Sequence, residues 1–397
     1  MNILIITPGI FPDTHSGIGK ITYYLGRELQ RIGYQVIILT RRYKKDHLEN
    51  EIIDGMFYHR VPIPERWGFF NKVWPLITPL QSWIWQKKIK TLYPKFDLVW
   101  ILNPWWTVLM NPKKFWPKGK IVYQFYVNPY DEIISNHGKT LLSSAFGYIY
   151  NYVTKREMKG ADYISNLSKF ACKDALLMMG SKAIDKMIIV PGGVDMDCFT
   201  PITREEKSKL RKSFSIPEDR TIFITARGLK GRTGVDKLIL ATAQLKKEAI
   251  PFFLIIVGKG PMKQQIERSI KVLNLESNTK LLSDLSEATL AHYYSASDAF
   301  ILPTQGAEAF GLATTEAISA GLVALGTNNG GTPEILSKYN SNWIIPGKDE
   351  ISIYKKMKEY CENPEKYSIP LDKMQEVTRA HYSWPQVAKT FLEGCQL

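Results

Sequence analysis

The sequence predicts an α/β protein built from two doubly wound parallel sheets. Three observations carry this expectation. The 397 residues suit two domains at roughly one per 100–200 residues. Short apolar runs of strand length alternate with segments of helical periodicity, in two successive blocks. A Pro-Gly-Gly break at 191–195 separates the blocks.

In the first block, residues 2–7 form an apolar run, and a loop with Pro8, Gly9, Pro12, Asp13 and Gly17 follows. From Ile18, the residues Ile21, Leu25, Leu29 and Ile32 recur at three- and four-residue spacing, with Gly33 as a stop. Residues 35–39 are a second β-type run, so strand, loop, helix and strand make a right-handed βαβ unit. In the second block, 221–226, 252–257, 280–282, 299–302 and 322–325 are the strand candidates. Residues 235–247 and 262–273 have helical periodicity. The polar, proline-bracketed stretch 200–217 reads as a linker. Ligands of open α/β sheets bind at the carboxyl ends of the strands, so the active site is expected between the two domains.

Composition narrows the class. Apolar residues make up 45% and charged residues 23%, which excludes wholesale disorder and fibrous folds. The cysteines Cys172, Cys198, Cys361 and Cys395 show no CxxC spacing, so neither a zinc site nor a disulfide framework is expected, and a reducing compartment fits best. The first residues lack a basic segment and a cleavage site, and no apolar stretch is long enough to span a bilayer. The expected location is cytoplasmic.

Charge is uneven. Residues 1–195 carry 26 Lys and Arg against 15 Asp and Glu, a net of +11, whereas residues 196–397 carry 26 against 23, a net of +3. Eight of the ten tryptophans lie in the first part. The stretch 67–95 combines Trp67, Phe69, Phe70, Trp74, Trp83, Ile84 and Trp85 with Lys72, Lys87, Lys88 and Lys90. That mixture suits either an anionic membrane surface, with peripheral contact at the inner face of the cell membrane, or an insertion packed on its own domain with tryptophans in the core and lysines in water. No nucleic-acid-binding motif appears, and no nucleic-acid partner is expected.

The strongest motif is PTQGAEAFGLATTE at 303–316. A strand ends before it, glycines open its loop, and a helix begins near Leu312. Free N–H groups at a helix start favour an anion such as a diphosphate. Carboxylates at Glu308 and Glu316 can accept hydrogen bonds from vicinal hydroxyls of a sugar. Alternatively, Glu316 is an ordinary first-turn acid that stabilises the helix dipole.

This loop, with two glutamates eight residues apart around Phe310-Gly311, resembles the donor site of glycosyltransferase family 4. Further segments are similar to that family in the same order. They are TPGIFPDTHSGIG at 7–19, PGGVDMDCFTP at 191–201, ARGLKGRTGVD at 226–236, VGKGP at 257–261, GGTPE at 330–334 and YSW at 382–384. The resemblance implies the GT-B fold, two Rossmann-like domains facing a cleft, and a C-terminal helix crossing back to the first. The implied domains are 1–195 for the acceptor, 196–380 for the nucleotide-sugar donor, and 381–397 for the returning helix.

By position, the resemblance implies that Glu308 binds donor-sugar hydroxyls and Glu316 ribose hydroxyls. The N–H groups of Phe310, Gly311 and Leu312 meet sugar and phosphate. Arg227 binds the departing diphosphate, where a fixed guanidinium stabilises developing negative charge. Gly258 lies in a further donor-side loop. Gly17 and Gly19 let the first loop approach the donor phosphate or the acceptor, or simply form a tight turn.

Two departures from the family pattern stand out. Thr233 sits between Arg232 and Gly234 where most relatives have Lys, so either Arg232 is the second cation or one cation is missing and Arg232 is a solvent-facing loop charge. Tyr126 sits where many relatives place His near the donor sugar. A tyrosine donates hydrogen bonds but is a poor proton acceptor at neutral pH. His137 is a nearby substitute, or a structural residue. Asp195 and Asp197 form an Asp-x-Asp pattern, which in this family falls in an inter-domain segment, so no metal is expected. Asn166-Leu167-Ser168 matches a glycosylation pattern without further support.

The function implied is a retaining hexosyltransferase (EC 2.4) that moves a sugar from a nucleotide-diphosphate sugar to a lipid-linked or cell-surface glycan. No cofactor or metal is expected. Competing readings are a sucrose- or trehalose-type synthase with a soluble acceptor and a non-catalytic sugar-nucleotide-binding subunit.

Overall fold

The computed structural model describes the chain except residues 15, 45, 63–73 and 307 and the side chains of 74–78, 136 and 137. The chain forms two compact units. The first comprises Met1–Ile133, Thr140–Gly193 and Trp384–Leu397; the second comprises Ile134–Lys139 and Val194–Ser383.

The first unit holds an eight-stranded sheet. Its strands are β1 (Asn2–Ile6), β2 (Gln35–Arg41), β3 (Asn50–Ile53), β4 (Met56–Val61), β5 (Leu98–Ile101), β6 (Lys120–Phe125), β7 (Tyr163–Asn166) and β8 (Met187–Ile189). The order is β3-β4-β2-β1-β5-β6-β7-β8. β1, β2 and β5 read as near-continuous Ile, Leu and Val because helices cover both faces of a parallel sheet. The helix Gly17–Arg31 follows β1, and Gly33 ends it with a φ of 100°.

One expectation is corrected here: the sheet is not wholly parallel. β3 pairs antiparallel with β4. Asp54 and Gly55 join them, with φ of 50° and 80°. Two left-handed residues make the tight turn whose twist suits a hairpin, and Asp-Gly was its signal.

Tryptophans of the first unit are largely interior. Trp85, Trp106 and Trp116 belong to the core with Leu4, Ile37 and Val99. Trp100 is buried and meets Phe391 at 5.1 Å between ring centroids. In the stretch 67–95, residues 67–73 and the side chain of Trp74 lie outside the described residues. The helix Trp74–Leu92 buries Trp85 and Ile89 and leaves Leu80 and Ile84 exposed.

The C-terminal helix Trp384–Gly394 belongs to the first unit. Trp384 stacks on Tyr24 at 5.3 Å and 7°. Gly193 is required there, since a Cβ would lie 2.5 Å from the indole. Lys120 Nζ donates to the carbonyls of Cys395 and Gln396 at 2.8 and 2.7 Å, and so caps the chain end.

The second unit holds a six-stranded parallel sheet. It comprises β9 (Thr221–Ala226), β10 (Phe252–Val257), β11 (Thr279–Leu282), β12 (Ala299–Leu302), β13 (Val323–Thr327) and β14 (Ile344–Ile345). The order is β11-β10-β9-β12-β13-β14. The expected linker at 200–217 contains a helix instead, Arg204–Ser213. Its Thr203 and Glu206 form a reciprocal capping box. Lys207 and Arg211 both reach Asp298 at 2.7 Å. None of the helix's residues is buried, which is why its sequence lacks an apolar stripe.

Candidate active site

Each sheet has a point where its strand order reverses. In the second unit, β10 and β11 lie on one side of β9, and β12 to β14 lie on the other. The loops after β9 and β12 therefore diverge and leave a crevice at the carboxyl ends of these strands.

Arg227, immediately after β9, bridges that crevice. Its Nη2 donates to Glu308 Oε2 at 2.9 Å and its Nη1 to Thr304 Oγ1 at 2.6 Å. Both acceptors follow β12. Arg227 is nearly buried, and its Nε has no partner among the described residues. Burial pulls the guanidinium pKa below its ordinary value; Glu308 opposes the shift and Arg232 adds to it. Arg227 and Arg232 are thus close enough to repel each other, and a bound anion would relieve that repulsion.

Glycines let these loops meet. A Cβ on Gly258 would lie 2.0 Å from Arg227 O, and one on Gly260 would lie 2.3 Å from Leu229 O. Gly258 therefore positions the Arg227 backbone. A Cβ on Gly330 would lie 2.2 Å from Glu308 O, and Gly331 N–H donates to that same oxygen at 2.8 Å. The GGTPE segment thus clamps the Glu308 backbone.

The helix Leu312–Ser319 opens at Gly311, whose φ is 100°. No side chain caps it; Thr314 N–H donates to Gly311 O at 2.9 Å, while the N–H groups of Leu312 and Ala313, before it, have no intrahelical acceptor. Phe310 is buried against Tyr382, with ring centroids 5.7 Å apart. Glu316 is buried one turn into the helix. The Tyr294 hydroxyl lies beside it and is held well above its ordinary pKa, first by burial and then by Glu316. Arg227, Arg232, Gly258, Glu308, Phe310, Gly311, Leu312 and Glu316 all fall in this unit, at the ends of β9, β10 and β12 or in the helix after β12.

Sequence reasoning missed Thr304 and Tyr294. Thr304 is fully buried, and its carbonyl accepts from Thr327 Oγ1 at 2.8 Å. Its position two residues past a strand end, before a glycine loop, was the available signal. Tyr294 lies on the helix Glu287–Ser295, and nothing in its local sequence marks it.

Gly17, Gly19 and Tyr126 belong to the first unit. Gly19 N–H donates to Ser16 Oγ at 3.0 Å and its carbonyl accepts from Phe11 N–H at 3.2 Å. A Cβ on Gly19 would meet Thr14 Oγ1 at 2.9 Å. Gly17 is the exposed first residue of its helix. Tyr126 follows β6, and its buried hydroxyl has no partner among the described residues. Burial, then Tyr150 and Glu132, push its pKa well above the ordinary value. At neutral pH it is a donor and not a base. Beside it, Tyr150 Oη accepts from Asn103 Nδ2 at 3.0 Å. The side chain of His137 lies outside the described residues.

Known proteins resolve the family. The profile of Glycosyltransferase Family 4 matches residues 15–198, and that of Glycosyl transferases group 1 matches residues 206–376. The chain belongs to glycosyltransferase family 4. It is 25% identical over 202 residues to a GDP-mannose-dependent alpha-(1-6)-phosphatidylinositol monomannoside mannosyltransferase of Mycobacterium tuberculosis, a match over 49% of this chain and 51% of that protein. The chain thus spans about half the length of that curated relative. Two solved structures share the fold, which is GT-B. A sucrose-phosphate synthase from Thermosynechococcus elongatus has a TM-score of 0.80 at 17% identity, over 99% of this chain and 97% of that one. Anabaena HepE in complex with UDP and glucose has a TM-score of 0.75 at 16% identity, over 99% of each.

In this family 4 chain, Thr233 is part of the loop's frame. Its Oγ1 donates to Lys230 O at 2.6 Å, and the residue is buried. It closes the 3-10 turn Gly231–Thr233, while Gln305 and Gly306 N–H donate to Arg232 O at 2.9 and 3.0 Å. The Arg232 backbone is thereby tied to the Glu308 loop. Asp195 Oδ1 accepts from the N–H groups of Asp197 and Cys198 at 3.2 Å, an Asx-type turn. Among the described residues, no three His, Cys, Asp or Glu side chains are grouped to hold a metal. No helix of the described residues is long and apolar enough to cross a membrane.

Proposed function

We propose that this chain is a retaining hexosyltransferase that moves a sugar from a nucleotide-diphosphate sugar to a lipid-linked or cell-surface glycan. The observation that carries the donor part is the Arg227 bridge from the β9 loop to Thr304 and Glu308 across the reversal point of the sheet. A nucleotide diphosphate laid there meets Arg227, Arg232 and the uncapped N–H groups at Gly311 and Leu312. Glu316 accepts from the ribose hydroxyls, and Glu308 accepts from hydroxyls of the transferred sugar.

The bond from the anomeric carbon to the diphosphate oxygen breaks as the acceptor oxygen bonds to the same face of that carbon. The acceptor proton passes to the departing phosphate. The two guanidiniums and helix N–H groups stabilise the negative charge as it develops, so the reading needs no metal. It needs no protein base either, which agrees with Tyr126 being a hydrogen-bond donor.

The phosphatidylinositol mannoside named for the mycobacterial relative supports a lipid-borne acceptor. Peripheral contact with an anionic membrane at the inner face, expected of residues 67–95, belongs to the same reading, and a nucleic-acid partner does not. The test is sugar transfer from a panel of labelled nucleotide sugars to membrane lipid extract, with the product's anomeric configuration read by NMR. A product with the donor's configuration supports the reading. An inverted product, or transfer only to soluble sugars, contradicts it. Nucleotide binding without turnover would favour a non-catalytic subunit.

A further inference from the structure

Residues 7–14 follow β1 at the point where the strand order of the first sheet reverses, with β2 on one side of β1 and β5 on the other. Side chains from the β2 and β4 side pin this loop. Tyr43 Oη donates to Pro8 O at 2.9 Å, and Tyr58 Oη donates to Phe11 O at 3.4 Å. Arg60 of β4 reaches Asp13: its Nε donates to Oδ2 at 2.7 Å and its Nη2 to Oδ1 at 3.1 Å. The Nη1 of the same guanidinium donates to Glu51 Oε2 on β3 at 2.6 Å and to Leu48 O at 3.0 Å. Within the loop, Phe11 N–H donates to Gly19 O at 3.2 Å, and Thr14 N–H donates to Ile10 O at 2.9 Å.

Arg60 is 1% exposed and the Asp13 side chain 3%. Burying such a pair costs desolvation that its mutual attraction offsets only in part, and an apolar pair of similar volume often holds a core as well. What an apolar pair cannot supply is direction. A planar guanidinium that meets both carboxylate oxygens fixes the distance and the orientation of Asp13 together. Glu51 and Leu48 fix the guanidinium in turn. The loop is thereby held on the side of β1 away from β5.

We propose that Arg60 is a positioning residue for the acceptor. Through Asp13 it holds residues 7–14 at the carboxyl end of β1, where ligands of such sheets bind. Arg60 itself is too deeply buried to touch a reactant. Without the fork the loop shifts, and a misplacement of about 1 Å far from the chemistry lowers a rate by about a hundredfold. The nucleotide site of the second unit is built on other strands, so it does not respond to Arg60. The proposal rests on the transfer reading above.

The experiment compares wild type with Arg60→Lys, which keeps the charge and loses the fork, and Asp13→Asn, which keeps the shape and loses the charge. Arg211→Lys, at the Asp298 ion pair of the second unit, controls for an ordinary loss of stability. With labelled sugar nucleotide and membrane lipid extract, kcat/KM for the acceptor is expected to fall about a hundredfold in Arg60→Lys and Asp13→Asn and to stay unchanged in Arg211→Lys. Hydrolysis of the sugar nucleotide by water, and the thermal shift with UDP or GDP, are expected unchanged in all three. Native-state hydrogen exchange at the Phe11 and Thr14 amides is expected to quicken about tenfold or more in the two loop variants, with β1 still protected. Unchanged kcat/KM for the acceptor in both loop variants overturns the proposal. So does an equal fall in hydrolysis or in the nucleotide shift, which marks a general structural loss. Unchanged exchange at Phe11 and Thr14 overturns the clamp whether or not the chain turns over. A wild-type chain that binds nucleotide and transfers to nothing contradicts the transfer reading instead, and the exchange result still decides the clamp.

Discussion

Arg227 and Glu308 form a largely buried ion pair, Nη2 to Oε2 2.9 Å, that ties the loop after β9 to the loop after β12. The pair spans the point where the strand order reverses, so two of the proposed donor ligands hold each other in place before any ligand arrives. Removing one partner would leave the other charge buried and uncompensated.

Arg227→Ala is therefore expected to lower both turnover and stability. Loss of the pair is expected to cost about 3 kcal/mol. Arg227→Lys keeps the charge but loses the fork that reaches Thr304 and Glu308 together. It is expected to unfold closer to wild type while turnover stays low. Urea denaturation and sugar-transfer kinetics on both variants check this. Wild-type turnover in Arg227→Lys would remove the fork from the account.

Thr304→Val keeps the volume and removes the acceptor of Arg227 Nη1. A buried charged donor without its partner is expected to cost about 1–3 kcal/mol. Nucleotide affinity is expected to fall with it, because Arg227 loses one of its two fixed points. Denaturation and calorimetric titration measure the two effects separately.

Gly258→Ala places a Cβ 2.0 Å from Arg227 O. The Arg227 loop must move away, and nucleotide binding is expected to weaken although Gly258 carries no side chain to lose. Gly33→Ala is the comparison: a Cβ there meets nothing within 4 Å, so only its φ of 100° is strained. It is expected to cost stability and leave nucleotide affinity unchanged.

Tyr126→Phe removes a buried hydroxyl that has no partner among the described residues. A melting temperature unchanged or raised is expected, because an unsatisfied polar group is lost. Turnover is expected to fall, since the resemblance places this residue near the donor sugar. A lower melting temperature with unchanged turnover would make Tyr126 a structural residue.

Cys395 gives a pH signature. Burial pushes its thiol up to about 12, with Lys120 opposing. In the unfolded chain a thiol titrates near ~8.5. Between these values the unfolded form releases a proton that the folded form keeps, so this group's contribution to stability falls as pH rises through that window. Labelling of Cys395 in the native protein at pH ~8 is expected to be slow and limited by opening of the C-terminal helix. Rapid labelling would show that this helix is not docked.

Much of the fold was legible because parallel strands are buried on both faces and announce themselves as apolar runs. β9, β10 and β12 stand where the residues predicted them. The hairpin at Asp54-Gly55 and the helix Arg204–Ser213 were missed for opposite reasons. The first depends on a two-residue turn, and the second is polar all round because it buries no side chain. At the site, Glu308 and Glu316 were visible through spacing and resemblance. The Arg227 bridge was not, because Arg227 and Glu308 are far apart in sequence and meet only through the order of β9 and β12. Thr233 stands where the family pattern has a cation, and its hydroxyl instead closes the turn that carries Arg232.

The central claim is a nucleotide-diphosphate site in the second unit, built on Arg227, Glu308, Glu316 and the uncapped helix start. Thermal-shift titration of the purified protein with UDP, GDP and ADP, in magnesium and in EDTA, tests it most directly. Binding to the folded form raises the melting temperature by mass action. The account predicts a selective rise with one nucleotide, equal in magnesium and EDTA, and weakened in Glu316→Ala. No rise with any nucleotide, or a rise unchanged in Glu316→Ala, would contradict it.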